Sequence, residues 1–272
     1  MSSEVLRAEH VSKSFGQVTA LRDASIHLSK GEVLGLLGDN GAGKSTLLKI
    51  LTGFHRPSGG KIYFEGKEVQ LKSVTHARLL GIEPVYQDLA LINELNVYRN
   101  MFLQREIMYG GPLRILNDRA MRARAKEQLK QMGVNIPSVD VKISKLSGGQ
   151  RQGIAVARSV YANAKVLLLD EPLAAMGVKE SAMILDVIRR LKEKGDVSIV
   201  IVAHNYAQIF DFCDRINLLQ SGQISFDRRT QDTSVEELTS LVVREYRAAR
   251  EQNLRPTSKT RDGSTSGTGT MC

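Results

Sequence analysis

Eight consecutive residues, Gly38, Asp39, Asn40, Gly41, Ala42, Gly43, Lys44 and Ser45, fit the pattern Gly-x-x-x-x-Gly-Lys-Ser/Thr, and Thr46 follows directly. Their chemistry would be the grip of a nucleotide's phosphates. Glycines let backbone N–H groups close on phosphate oxygens, the Lys44 ammonium can reach the β- and γ-phosphates, and the Ser45 hydroxyl can ligate Mg²⁺. Two adjacent carboxylates, Asp170 and Glu171, stand at the end of the apolar run Val166–Leu169. A hard cation prefers carboxylate oxygen, so Asp170 suits Mg²⁺ held through water. Glu171, one residue further into the cleft, suits the orienting and polarising of an attacking water. Ser147, Gly148, Gly149 and Gln150 form a third candidate. Ser147 can cap a helix that begins near Gly149, with Gln150 in its first turn, and a helix N-terminus without bulky side chains is an anion site. It reads either as an ordinary helix start or as a phosphate site used by a second subunit, because one nucleotide needs only one such site per chain. His204 is a lone histidine at the end of the run Ser198–Ala203. Lone histidines are more often structural than catalytic, but this one closes a strand of the kind that carries the other groups.

These groups need a scaffold that brings them to one edge. Val33–Leu37 is wholly apolar but for one glycine and predicts a buried strand running into the loop, with a helix over Thr46–Leu51 beyond it. Val166–Leu169 and Ser198–Ala203 predict two more buried strands, and in open α/β sheets ligands bind outside the carboxyl ends of the strands. Residues 4–36 alternate strand and turn signals, including a turn at Ser29–Glu32, and Gly60–Phe64 predicts another strand. Residues of about 90 to 160 interrupt this alternation with helical patterning. There Asn117 can cap a helix over Asp118–Met132 that Gly133 stops. A helix over Lys179–Lys194 places Met183, Ile184, Val187, Ile188 and Leu191 on one face, with Gly195 ending it. That stripe is core and is assigned no chemistry. Beyond Leu254 the chain is rich in Pro, Ser, Thr and Gly, and residues 254–272 are expected to be disordered.

Together these residues resemble the nucleotide-binding subunit of an ATP-binding-cassette (ABC) transporter, over roughly residues 4 to 247. The resemblance makes Gly38–Ser45 the Walker A loop, Val166–Asp170 the Walker B strand and Leu146–Gln152 the signature motif, which simple kinases and small GTPases lack. It implies an α/β fold: a P-loop NTPase (RecA-like) core with an antiparallel β subdomain and an inserted α-helical subdomain at about 90–160. It also implies ATP and Mg²⁺ as ligands. Gln87 falls at the Q-loop glutamine, a catalytic and metal-contacting position, and His204 at the switch histidine. Phe15 falls where an aromatic ring stacks on adenine, and Ser147, Gly148, Gly149 and Gln150 fall where the nucleotide of an opposing subunit docks. One position departs from the family pattern: Leu173-Ala-Ala-Met-Gly177 follows Glu171, so Gly177 replaces the D-loop aspartate that helps join two halves of a dimer.

Only one such loop and one signature are present, so the resemblance implies pairing with a second copy. It also implies multi-span membrane permease subunits as partners, an indirect link to a periplasmic or extracellular sugar-binding protein, and a place at the cytoplasmic face of the cell membrane. The stretches Gly81–Leu91, Gly111–Arg114, Val134–Asp140 and Leu173–Glu180 resemble simple-sugar importers of the ribose, xylose and fructose type, and a single cassette resembles the fructose-type branch. A cassette ATPase for a lipid, amino acid or metal chelate, or one acting on nucleic acid or ribosomes, is the alternative.

Composition agrees with a subunit that does not itself cross a membrane. No stretch approaches 18 consecutive apolar residues. The N-terminus lacks an apolar signal region, so export is not expected. Two cysteines, Cys213 and Cys272, give neither a disulfide framework nor metal spacing. The net charge of +9 is compatible with nucleic acid, an anionic leaflet or simple surface solvation. With no Trp and 5% aromatic residues there is no basic-aromatic platform for bases, and no nucleic acid is expected as a partner.

Overall fold

The computed structural model describes residues 4–110, 115–174, 176–241, 243 and 244. Gly111–Arg114, Ala175 and the tail expected to be disordered lie outside the described residues, as does the 247 limit of the cassette. The chain divides into two compact units, one reaching Val235 and one beginning at Glu236. The first carries all of the candidate groups.

It opens with two long strands, β1 (Glu4–Phe15) and β2 (Val18–Ser29), paired antiparallel around the turn after Phe15. The Ser29–Glu32 turn, closed by the Glu32 N–H on the Ser29 carbonyl at 3.2 Å, delivers the chain to β3 (Val33–Leu37). The loop Gly38–Gly43 and α1 (Lys44–Leu51) follow. β4 (Gly59–Phe64) and the short β5 (Lys67–Glu68) complete an antiparallel layer with β1. Next come α2 (Val74–Leu80), capped by the Ser73 hydroxyl, and β6 (Ile82–Val85).

The predicted helical insertion consists of α3 (Val97–Met101), α4 (Asp118–Gln131) and α5 (Gly148–Tyr161). The Asn117 side chain accepts from the Ala120 N–H at 2.9 Å, the predicted cap, and the helix ends at Met132 with Gly133 beyond it in the left-handed region at φ +73°, the predicted stop. The alternation then resumes with β7 (Val166–Asp170), α6 (Val178–Lys194), β8 (Ser198–Ala203), α7 (Tyr206–Ile209), β9 (Arg215–Gln220) and β10 (Gln223–Arg229).

All ten strands form one sheet in the order β5-β4-β1-β2-β10-β9-β3-β8-β7-β6. The antiparallel layer meets the parallel core at a single register pair, Gln223 with Asp23. Strands β3, β8, β7 and β6 run parallel and side by side. Leu34, Leu36, Leu168, Val200 and Val202 pack with Leu47, Leu48, Ile50 and Leu51 of α1 in one core cluster. The opposite face is buried too, for Gly35 lies against Ile216, Cys213 and Ile209. Burial on both faces is why these strands read as unbroken apolar runs rather than alternating ones.

Candidate nucleotide site

Parallel registry explains how residues far apart in sequence share an edge. Leu37 is level with Ala203, Val202 with Asp170, and Leu169 with Val85. The residues that leave the carboxyl ends of these four neighbouring strands are therefore Gly38, His204, Glu171 and, just beyond Tyr86, Gln87. This is where a doubly covered α/β sheet binds ligands.

The loop between β3 and α1 is built on positions that only glycine can fill. At Gly38 φ is +151° and a Cβ would stand 2.3 Å from the Leu219 carbonyl oxygen. At Gly43 φ is +109° and a Cβ would stand 2.7 Å from the Ala20 carbonyl oxygen. Backbone thus lies on backbone, and the N–H groups at the head of α1 face an open mouth where Asp39, Asn40, Gly41 and Ser45 are exposed and Ala42 is buried. Thr46 is half-buried on the first turn. Lys44 is only 5% exposed and donates to the carbonyls of Gly38 at 2.7 Å and Asp39 at 2.9 Å. Burial pulls its pKa below the ordinary lysine value, against the opposing fields of Glu171, Asp39 and Asp170. The ammonium is parked on its own loop, and a phosphate would exchange neutral carbonyl acceptors for anionic ones.

Asp170 is the acidic counterpart. Burial raises its pKa above the usual carboxylate range and the adjacent Glu171 adds to the shift, while Lys49 and Lys44 oppose it. Its Oδ1 is buried without a hydrogen-bond partner. Leaving such an acceptor unsatisfied costs about 1–3 kcal/mol. A divalent cation with hard-oxygen preference would satisfy it, and Ser45 and the Gln87 side-chain carbonyl are of the right chemical kind to complete its shell. The residues present therefore fit Mg²⁺.

Glu171 sits in the left-handed region at φ +49°, its N–H donating to the Val202 carbonyl at 3.0 Å. That kink turns the chain off the strand and brings the Glu171 Oε1 to 3.4 Å from Nδ1 of His204. Tyr86, next to Gln87, donates its hydroxyl hydrogen to Thr52 Oγ1 at 3.1 Å, which ties the exposed Gln87 segment to the end of α1.

Ser147, Gly148, Gly149 and Gln150 form a second place, at the start of α5, which packs against α6, α3, α4 and β6. Ser147 Oγ accepts from the Gln150 N–H at 3.3 Å, and Gln150 Oε1 accepts from the Ser147 N–H at 3.1 Å. This is a reciprocal capping box, so the helix begins one residue earlier than Gly149 and its first turn is held rigid.

Phe15 stands apart from both, at the β1–β2 turn. Its ring is 44% exposed, with the edge of His55 at 5.2 Å and the Lys13 ammonium 5.1 Å from its centre. A large exposed ring beside a second ring is not core and leaves a face free for stacking. Phe15→Ala is expected to weaken ATP binding by roughly 1–2 kcal/mol, the value of a lost aromatic stack, with only modest discrimination against GTP. Fluorescence titration with both nucleotides measures this, and an affinity equal to the parent's would remove Phe15 from the site.

The sequence reading missed Glu180. Its side chain lies against Gly148 and Gly149. The spacing that could have found it is the helix-start pattern Gly177-x-x-Glu180, which signals a cap on α6 but says nothing of α5.

A phosphate loop, an acidic strand end and a histidine on neighbouring parallel strands, with a capped glycine helix start on an inserted subdomain, define an ATPase of the cassette type. The ABC transporter family model matches residues 21–174, and the chain belongs to that family. It is 47% identical to the xylose/arabinose import ATP-binding protein of Sulfolobus acidocaldarius, over 88% of this chain and 94% of that protein. It is 42% identical to the fructose import ATP-binding protein of Rhizobium meliloti, over 80% of this chain and 86% of that protein. The ribose import ATP-binding protein of Bacillus licheniformis is 39% identical, but this chain spans only 48% of its length. Among solved structures, a nucleotide-free ATP-binding cassette from an ABC transporter superposes with a TM-score of 0.74 at 27% identity, over 88% of this chain and 95% of that one. A dimeric cassette in a post-hydrolysis state, bound to ADP and Pi, superposes with a TM-score of 0.69 at 27% identity, over 83% of this chain and 98% of that one. Among the described residues no helix is long and apolar enough to cross a membrane.

Proposed function

We propose that this chain is the ATP-hydrolysing subunit that powers import of a simple sugar, of the fructose, ribose or xylose type, through separate permease subunits at the cytoplasmic face of the membrane. The observation that carries the ATPase reading is the delivery of Gly38, His204, Glu171 and Gln87 by four adjacent parallel strands to one edge. The sugar reading rests on the near full-length similarity to sugar import ATP-binding proteins.

The N–H groups of Gly38–Ser45 cradle the phosphates, and Lys44 leaves the Gly38 and Asp39 carbonyls to neutralise the γ-phosphate. Mg²⁺, when bound by Asp170, Ser45 and Gln87, supplies charge neutralisation of the phosphate oxygens. Glu171 holds a water for in-line attack, and His204, in contact with Glu171, faces the same γ-phosphate. Phe15 stacks on the adenine. Ser147, Gly148 and Gly149 of a second copy, positioned by Gln150, close over the γ-phosphate from the far side. Gln87, exposed beyond β6 and leading into the helical insertion, carries the nucleotide state toward the permease. The sugar itself is recognised by the permease and by a binding protein outside the membrane.

Uptake of radiolabelled sugars in a strain lacking the gene is the test. Loss of most uptake of one monosaccharide is expected, restored by the parent gene and not by one carrying Lys44→Ala. Unchanged uptake of every sugar, with a defect in an amino acid or a lipid, would replace the substrate class.

A further inference from the structure

An anion already stands beside the start of α5. Both carboxylate oxygens of Glu180 lie 3.7 Å from where a Gly148 Cβ would stand. A Cβ at Gly149 would meet Glu180 Cβ at 3.0 Å and Met183 Cε at 2.8 Å, so glycine is what lets α6 lean on the first turn of α5. The same carboxylate accepts from the Gly177 N–H at 3.4 Å. The Ser147 hydroxyl, followed by the amides of Gly149, Gly177 and Gly148, holds its pKa below the ordinary glutamate value.

We propose that Glu180 is an intramolecular stand-in for phosphate, occupying the Ser147–Gly149 donors until the γ-phosphate of a second copy's ATP displaces it. The proposal rests on the reading of Ser147–Gly149 as γ-phosphate ligands. Two anions cannot share one set of donors, so closure of the pair requires the carboxylate to leave. Its departure also frees the Gly177 N–H at the head of α6. Gly177 has open space around it and an ordinary φ of −71°, so even a side chain there would meet no neighbour. ADP, lacking the γ-phosphate, leaves Glu180 in place. The position where other cassettes carry a D-loop aspartate thus borders a latch that senses the opposing nucleotide.

Sedimentation velocity across an ATP titration with Mg²⁺ tests this in chains that also carry Glu171→Gln, to block hydrolysis. Glu180→Gln removes the charge and keeps the shape. Glu180→Asp keeps a charge at the head of α6 but withdraws it by one methylene. Both are expected to lower the ATP concentration for half-maximal pairing, Glu180→Gln by about three- to ten-fold, the scale of a partly screened charge contact at each of two sites. Nucleotide affinity of the monomer and melting temperature are expected to stay near the parent's. With pairing that depends on Ser147, an unmoved or raised midpoint for Glu180→Gln reduces Glu180 to a helix cap and overturns the proposal alone. A parent that fails to pair with ATP, or whose pairing survives Ser147→Arg, overturns the reading of α5 and the proposal with it.

Discussion

Glu171→Gln is expected to bind ATP as tightly as the parent chain and to lose about 100-fold or more of steady-state hydrolysis, the contribution of a positioned general base. The substitution is nearly isosteric. The backbone kink at φ +49° and the N–H bond to Val202 do not depend on the side-chain charge. Removing that charge takes away the like-charged neighbour that helps raise the pKa of Asp170, so the Asp170 carboxylate is favoured in its ionised form and binding is expected to hold. What is lost is the acceptor that would polarise water and face His204. Lys44→Ala should behave differently. It deletes a buried cation that bridges the Gly38 and Asp39 carbonyls, so the loop loses its internal clamp and the phosphate its counter-charge, and binding and turnover fall together. An ATPase assay beside a nucleotide-binding titration separates the two patterns. Near-normal turnover in Glu171→Gln would take Glu171 out of its role.

The groups behind this prediction were legible because both faces of the central sheet are covered. Val33–Leu37, Val166–Leu169 and Ser198–Ala203 are apolar throughout except for Gly35 and Ser198, and each ends abruptly, at Gly38, Asp170 and His204, so strand and site are marked by the same boundary. β9 and β10 carry no such mark. Arg215 and Asn217 are buried on β9 between Ile216, Leu218 and Leu219, which breaks any apolar run although both faces are covered. Arg215 is tolerated there because Glu32 at 2.7 Å and Asp227 at 2.8 Å partner it, with the His27 carbonyl accepting as well. Those partners come from other parts of the chain, beyond the reach of local pattern. β10 exposes most of its residues, yet it joins the antiparallel layer to the core. Glu180 was missed for the same reason as Arg215: its role is set by α5, about thirty residues upstream, which only the α5–α6 packing brings near.

Assembly carries the second large effect. In sedimentation velocity, Glu171→Gln with ATP and Mg²⁺ is expected to run as a dimer, and as a monomer with ADP or when Ser147→Arg is added. The reasoning begins with counting, for the chain presents one phosphate loop and one capped glycine helix start. On this reading Gly38–Ser45 and Ser147–Gly149 both offer donors to the same anion, and juxtaposing them without nucleotide leaves the Gly38–Ser45 donors facing the contact with no anion to bridge it, which is unfavourable. ATP supplies the negative charge that makes the contact attractive, and a chain that cannot hydrolyse it keeps the contact. Arg in place of Ser147 puts a bulky side chain at an exposed helix start, and it also removes the hydroxyl that caps Gln150. Loss of such a cap costs about 1 kcal/mol, so a thermal melt must show the double variant folded. Gly177 makes the expected dimer a weaker one than an aspartate would give, because no side chain reaches across from the head of α6. Pairing should therefore follow total protein concentration steeply, and it should strengthen when permease subunits hold two copies side by side. A dimer that ignores nucleotide and tolerates Ser147→Arg would place the start of α5 outside the ATP site.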